Sequence, residues 1–397
     1  MQEKDNFKDY ISEVPNFLSI FQCSFFTFSL SSILLDVSKF MNINVGTLNL
    51  VFTFNIIGNF IGNITSPVLN KKIKRINLII FFYVLLIAVT IGLFLCNSLN
   101  LLCVFYFFAG YIVGTIWVQA NGYMQESSAT NKEKLTTIGY IFFPVGALMG
   151  PLVAVNIVKN DINWKYLYII ILFFVVLTLV LYIFITRKKE YTAYSGKNEN
   201  IRFKDIFENK SKNIAFILLI ILMLFFGATE VSVSTWSPTF LRVTRSFLIT
   251  KAGWAISTYW LAVGAGRLII STISGKLKTD YLLLVLSLVS FIGIVLFVLV
   301  PSSIVIFIAI ALTGIGLSGI QPLATTKGSS ILNKGIGFAI SMLSATAALG
   351  GSIGPYIIKY ISVKSMILSM SIAIIFSLAI IIILFINIVI NKNNNLT

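Results

Sequence analysis

The feature that most constrains this chain is a series of apolar runs, each about 20 residues long, separated by short polar loops. A helix needs roughly 20 apolar residues to cross the hydrocarbon core of a bilayer. Hydrophobic residues make up 57% of the 397 positions and charged residues 11%, against roughly 25% charged in soluble domains. A soluble fold could not cover so much apolar surface. We therefore predict an all-α integral membrane protein.

Twelve runs qualify as predicted spans. The run at 45–69 contains Asn55, Asn59 and Asn63, which recur every fourth residue and therefore share one helical face. We expect that face to point into the helix bundle or a wet cavity, because lipid cannot satisfy amides. The predicted spans are 15–37, 45–69, 77–96, 99–121, 137–158, 165–186, 213–238, 251–274, 281–300, 303–324, 335–358 and 364–390.

The basic residues predict the orientation of these spans. With the N-terminus inside, 21 Lys and Arg fall in cytoplasmic segments and 8 in external ones, as the positive-inside rule requires. We therefore expect a multi-pass protein of the cell (inner) membrane with both termini in the cytoplasm. The long polar stretch 187–212 is a predicted cytoplasmic linker between six-span halves, 1–186 and 213–397. Its Phe203, Ile206 and Phe207 suggest a short surface helix.

Several function classes are excluded by what the sequence lacks. It has no His, so a His metal site and a Ser-His triad are impossible. Cys23, Cys96 and Cys103 lie in or beside apolar runs and form no CxxC motif. There is no P-loop for ATP. The net charge of +16 is spread thinly between apolar runs, so nucleic acid is not an expected partner, and no cofactor is predicted.

The two halves also show an internal repeat. A shift of 204 residues places GALMGP at 146–151 on GGSIGP at 350–355, and it also aligns Gly62 with Gly266 and Gly110 with Gly314. A shift of six spans keeps the orientation, so the repeat is parallel. Two parallel six-span halves are a known transporter architecture.

On these residues the chain resembles the major facilitator superfamily over essentially its whole length. The loop at 66–75 is similar to the basic loop of that family after span 2. The stretch GATEVSVSTWSP at 227–238, followed by Tyr259-Trp260 and GAGR at 264–267, is similar to the branch of the fucose:proton symporters and their sodium-glucose relatives.

The resemblance implies a secondary active transporter of a small polar solute, a sugar above all. Transport would proceed by alternating access around a central site. A proton or sodium ion would couple transport to a gradient, and the protein would work as a monomer. The span 4 stretch IWVQAN at 116–121 lacks the acid that this branch often carries there, so proton coupling through span 4 is not predicted.

Three other functions are alternatives to sugar transport. An exporter of drugs or metabolites has the same fold, but both GP-ended motifs are explained by close helix packing. A polytopic membrane enzyme requires catalytic acids or His at one membrane face, and we find no such cluster in the sequence. A channel is disfavoured because there is no repeated pore loop.

Two acids are the predicted ion-coupling residues. Glu230 lies near the middle of span 7, where a charge costs roughly 3 kcal/mol. It could exchange a proton, hold a cation, bind sugar hydroxyls or form a structural pair. Asp36 lies where the fucose symporters carry a membrane Asp, about 15 Å from the centre of span 1, and could also be an ordinary acid at a wet helix end. With no His, we expect these two to be the only acids deep enough to carry protons.

Arg267, on the cytoplasmic side of span 8, is predicted to brace a gate. It could also contact substrate. Amides and aromatics within the spans are candidate sugar ligands, because amides both donate and accept and aromatic rings cover the apolar faces of sugars. Each could equally serve helix packing. The predicted substrate-binding residues are Gln22, Asn55, Gln119, Asn121, Trp236, Tyr259, Trp260 and Gln321.

Overall fold

The computed structural model describes residues 2–43, 45–48, 50–70, 73–127, 132–188, 210–274, 276–332 and 336–393. Helices dominate these residues, as the sequence predicts. The segment 189–209, with most of the predicted linker and its surface helix at Phe203, Ile206 and Phe207, lies outside the described residues.

Eight helices precede that segment. The first predicted span is divided between α1 and α2, and the second between α3 and α4. Their bounds are α1 Gln2–Ser32, α2 Leu34–Met41, α3 Val45–Leu48, α4 Leu50–Asn70, α5 Arg75–Leu95, α6 Leu99–Ser127, α7 Lys132–Lys159 and α8 Tyr166–Lys188.

Seven described helices follow the segment. The tenth predicted span is divided between α12 and α13 at Gly319. The bounds are α9 Lys210–Arg245, α10 Ile249–Ile273, α11 Thr279–Leu299, α12 Ser303–Ser318, α13 Ile320–Ile331, α14 Ile336–Ser362 and α15 Met366–Asn393. By contacts the chain divides into two compact units, Met1–Leu135 with Gly139–Asn200, and Thr136–Ile138 with Ile201–Thr397.

Ten helical segments of the described part are long and apolar enough to cross a membrane, with α12 and α13 forming one segment. Helices α1 and α4 are not among them. The first begins in the charged stretch at the N-terminus, and the second carries the asparagine face. That face turns towards α6, as its spacing predicts: the Nδ2 atom of Asn55 donates to the Tyr106 carbonyl over 3.1 Å, and Asn63 is buried.

The repeat predicted from the sequence is visible in the helix contacts. A Cβ added at Gly110 would lie 2.1 Å from the carbonyl oxygen of Asn55, and one at Gly314 would lie 2.6 Å from that of Tyr259. The two contacts are related by the shift of 204 residues, because Gly110 corresponds to Gly314 and Asn55 to Tyr259. Only glycine permits such an approach, so the matching glycines mark the same α4–α6 and α10–α12 crossing in each unit.

Candidate functional site

The predicted coupling acid lies in a small polar cluster within the second unit. Glu230 is half-buried on α9, and its carboxyl interacts electrostatically with the guanidinium of Arg267 on α10. The hydroxyl of Tyr259, also on α10, interacts electrostatically with both Glu230 and Arg267. This hydroxyl is fully buried and has no hydrogen-bond partner among the described residues. The cluster therefore combines a carboxyl group, a guanidinium cation and a hydroxyl without a hydrogen-bond partner among the described residues.

Aromatic side chains adjoin this cluster. The ring of Trp260 packs edge-on against that of Tyr259, with centroids 5.2 Å apart, and both residues are buried. Trp236 is half-buried on α9, six residues after Glu230 and therefore about 9 Å further along the helix. A polar group beside aromatic rings suits a sugar, whose hydroxyls need partners and whose ring faces are apolar.

Arg267 also forms a hydrogen bond at the point where the helix of span 10 is interrupted. Its Nε atom donates to the carbonyl oxygen of Ser318, the last residue of α12, over 3.1 Å. In a continuous helix that carbonyl would accept from the N–H of residue 322, but residue 322 is Pro and has none. The buried guanidinium therefore replaces a missing backbone donor, and it links Glu230 to the break in span 10.

Gln321 lies beside this break. Its side chain is half-buried in the first turn of α13 and has no hydrogen-bond partner in the described part of the chain. Its amide is therefore available to a ligand.

The amides of the first unit are more fully engaged. Gln119 is buried; its Nε2 atom donates to Ser66 Oγ over 2.7 Å, and its Oε1 atom accepts from Arg75 over 3.1 Å. It thus ties α4, α5 and α6 together. Asn121 donates to the Trp117 carbonyl one turn earlier over 2.8 Å, while its buried Oδ1 has no partner among the described residues.

The remaining candidates of the first unit differ in exposure. Asp36 lies exposed in the first turn of α2. Gln22 is buried on α1, where its Oε1 atom accepts from the Tyr83 hydroxyl over 2.9 Å. The structure thus places Glu230, Tyr259, Trp260 and Arg267 in one cluster of the second unit and leaves Asp36 outside any cluster.

The sequence reading missed one buried acid. Span 1 was placed from residue 15, but α1 begins at Gln2, and Glu13 is only 1% exposed. Glu13 is thus a buried acid that the predicted site does not include, while the expectation that Asp36 and Glu230 are the only acids deep in the membrane stays a prediction. The sequence does contain a sign of this burial, because Glu13 and Asn16 lie three residues apart on one helical face. The charged residues before them make the stretch resemble an exposed polar terminus.

No group of three or more Cys, Asp or Glu side chains able to hold a metal ion occurs among the described residues. Glu230 therefore stands in the cluster as a single carboxyl beside a cation.

Comparison with known proteins places this arrangement in a family. The model of the Major Facilitator Superfamily matches residues 17–355, and the chain belongs to that superfamily of membrane transporters. It is a multi-pass transporter and not an enzyme, as the sequence predicts. The fold is the predicted all-α membrane fold, and ten segments of the described residues are long and apolar enough to cross a membrane.

Two curated relatives are informative. The chain is 25% identical over 345 residues to the glucose/mannose transporter GlcP of Bacillus subtilis (strain 168), covering 84% of this chain and 83% of the relative. It is 23% identical over 233 residues to a TsgA homolog of Buchnera aphidicola subsp. Acyrthosiphon pisum (strain Tuc7), covering 58% of each.

Solved structures share the fold. The fucose:proton symporter FucP of E. coli has a TM-score of 0.76 at 13% identity, with 96% of this chain and 98% of that chain covered. The proton:xylose symporter XylE has a TM-score of 0.78 at 12% identity, with 96% of each chain covered. At these identities the likeness establishes the fold alone.

Proposed function

We propose that this chain is a secondary active transporter of a sugar or similar small polar solute. It works by alternating access between the halves 1–186 and 213–397, driven by a proton or sodium gradient. The observation that carries the substrate class is the similarity to the Bacillus subtilis glucose/mannose transporter, which extends over 84% of this chain. A similarity of that extent includes both halves of the protein and is not confined to one shared helix.

The polar cluster of the second unit supports the proposal. Coupling to a proton or sodium gradient needs a group that can bind and release the ion within the membrane, and Glu230 is a carboxyl there that interacts electrostatically with Arg267. Tyr259 and Trp260 add a free hydroxyl and an aromatic surface beside it. We assign Glu230 to ion coupling, and we assign Tyr259, Trp260, Trp236 and Gln321 to the substrate.

Uptake into proteoliposomes tests the function. The purified chain is reconstituted, and uptake of labelled glucose, mannose, fucose and xylose is measured with an imposed proton or sodium gradient. We expect one gradient to drive at least one sugar above its external concentration, and an ionophore that collapses this gradient to abolish the accumulation. Liposomes without protein are the control. Absence of sugar uptake with either ion, together with efflux of apolar drugs, would favour the exporter instead.

We also propose that both termini and the segment 187–212 are cytoplasmic, on the basis of the 21-to-8 distribution of basic residues. The native cysteines Cys23, Cys96 and Cys103 are buried, so introduced thiols can be labelled selectively. In whole cells, Asn160→Cys should react with an impermeant maleimide, and Ser195→Cys should react only after the membrane is opened. The reverse pattern would invert the topology.

A further inference from the structure

A cavity within the first unit is lined in part by Gln22. Its volume of about 10 Å3 is close to the smallest that holds one ordered water. Helices α1, α5, α6 and α8 surround it. Its lining is mostly apolar and includes Phe26, Leu86, Val113 and Ile171. The hydroxyl and amide residues that line it are Ser19, Gln22 and Tyr83.

Gln22 is the end of a buried chain of hydrogen-bonded side chains. The chain joins α1, α5 and α8 and extends from Gln22 to Glu13, nine residues apart and therefore about 14 Å along α1. Each member is at least nine-tenths buried. We call this set the Gln22 chain; its members, in order, are Gln22, Tyr83, Ser19, Tyr182, Asn16 and Glu13.

The hydrogens of this chain can be counted. The three hydroxyls of Ser19, Tyr83 and Tyr182 supply one hydrogen each. With Oε1 of Gln22 facing Tyr83, the Tyr83 hydrogen is directed to Gln22, 2.9 Å away, and the Tyr182 hydrogen to Asn16, 2.8 Å away. Ser19 donates its single hydrogen to the carbonyl oxygen of Pro15 over 2.8 Å. The Tyr83 and Tyr182 hydroxyls, 2.7 and 2.9 Å from Ser19, must therefore donate to Ser19 if these contacts are hydrogen bonds.

Rotating the amide of Gln22 by half a turn frees the Tyr83 hydrogen for Ser19. Oxygen and nitrogen of an amide are distinguished only by their hydrogen bonds. Nε2 then donates to Tyr83, Tyr83 to Ser19, and Ser19 to the Pro15 carbonyl. Tyr182 donates to Asn16, whose Nδ2 donates to Glu13 over 2.7 Å. Each hydroxyl of the chain then has an acceptor for its hydrogen, and linked hydrogen bonds strengthen one another.

The rotation also changes which amide atom of Gln22 faces away from Tyr83. Nε2 of Gln22, in the orientation that faces away from Tyr83, has no hydrogen-bond partner among the described residues. After rotation that position holds Oε1, an acceptor. A buried amide oxygen needs a donor, since an unsatisfied polar atom is costly, and the cavity has room for one O–H group.

We propose that this cavity is a binding site for a single O–H donor, to which Gln22 presents its Oε1 atom while its Nε2 atom anchors the Gln22 chain. The donor is an internal water or one hydroxyl of the transported solute. Only the second source rests on the proposed function.

A structure at a resolution that reveals buried waters tests the site directly. We expect density between 2.6 and 3.2 Å from the Gln22 amide, the ordinary range for such a hydrogen bond. Density without sugar identifies a water, and density that needs sugar identifies a solute hydroxyl. In the second case the deoxy-sugar that lacks this hydroxyl should bind to the wild type about tenfold more weakly than the parent sugar does. The Gln22→Met variant should bind the deoxy-sugar and the parent sugar equally well. Lack of density in both states would overturn the proposal, whether or not the chain transports sugar.

The continuity of the chain is tested separately by thermal unfolding in detergent. Tyr83→Phe and Tyr182→Phe should each lower the melting temperature by about 3 °C. The double variant should lower it by clearly less than the sum, because both hydroxyls contact Ser19 within one hydrogen-bonded network. The matched control is Tyr168→Phe, which removes a buried hydroxyl 3.1 Å from that of Tyr106, outside the Gln22 chain. Its effect should add to that of Tyr83→Phe. Additive effects of Tyr83→Phe and Tyr182→Phe would contradict a continuous chain.

Discussion

Glu230→Gln should abolish accumulation of substrate against a gradient while binding and exchange across equilibrated membranes persist. The amide keeps the shape of the side chain and can still form hydrogen bonds, but it can neither release a proton nor attract a cation. It also removes the negative partner of Arg267. We expect the accumulation ratio to fall at least tenfold, a free-energy difference of about 1.4 kcal/mol.

The measurement compares gradient-driven uptake with counterflow in the same proteoliposomes. If the coupling ion is a proton, counterflow by Glu230→Gln should lose its dependence on pH; if the ion is sodium, it should lose its dependence on sodium. Asp36→Asn is the matched control, because it makes the same chemical change at an exposed acid outside the cluster. Wild-type accumulation by Glu230→Gln, or loss of coupling in Asp36→Asn alone, would remove Glu230 from the mechanism.

Arg267→Lys should slow transport about tenfold and leave substrate affinity nearly unchanged. The positive charge remains beside Glu230, but Lys has no Nε atom in the planar fork that reaches the Ser318 carbonyl. A buried carbonyl left without its donor costs about 1–3 kcal/mol, so the variant should also unfold at a lower temperature. Turnover, substrate binding and melting temperature are measured on the same preparation.

A second substitution tests the reason for this loss. Pro322→Ala restores the backbone N–H that a helix would offer to Ser318, so it should recover the stability of Arg267→Lys. Arg245→Lys is the control, because Arg245 also donates to a carbonyl, that of Val298, over 2.8 Å; Pro322→Ala should not rescue it. Loss of substrate binding in Arg267→Lys at normal expression would instead assign Arg267 to the substrate site.

The sequence predicted the candidate site unevenly. Glu230 and Arg267 were found because a charge inside an apolar run is conspicuous, and the structure brings them together. Gln119 and Asn55 were found by the same logic, yet their amides bond neighbouring helices. An amide inside a span shows that a partner exists, but only the neighbouring helix decides whether that partner is a protein group or a ligand.

The Gln22 chain was beyond prediction for a related reason. Its tyrosines, Tyr83 and Tyr182, lie 99 residues apart on different helices and look like ordinary aromatic residues of apolar runs. The break at Ser318 was equally hidden, although Gly319 and Pro322 are both visible in the sequence. A proline removes a donor locally, but which side chain replaces that donor depends on a helix about 50 residues away.

The sequence by itself determined the membrane class, the helical fold and the internal repeat. These depend on runs of about 20 apolar residues and on glycines shifted by 204 positions, which are local or periodic properties of the chain. Tertiary structure alone decided that Arg267 bonds the Ser318 carbonyl and that Glu13 is buried beside Asn16. In a bilayer each buried polar group must find its partner within the protein, and that choice is made between helices that are distant in the sequence.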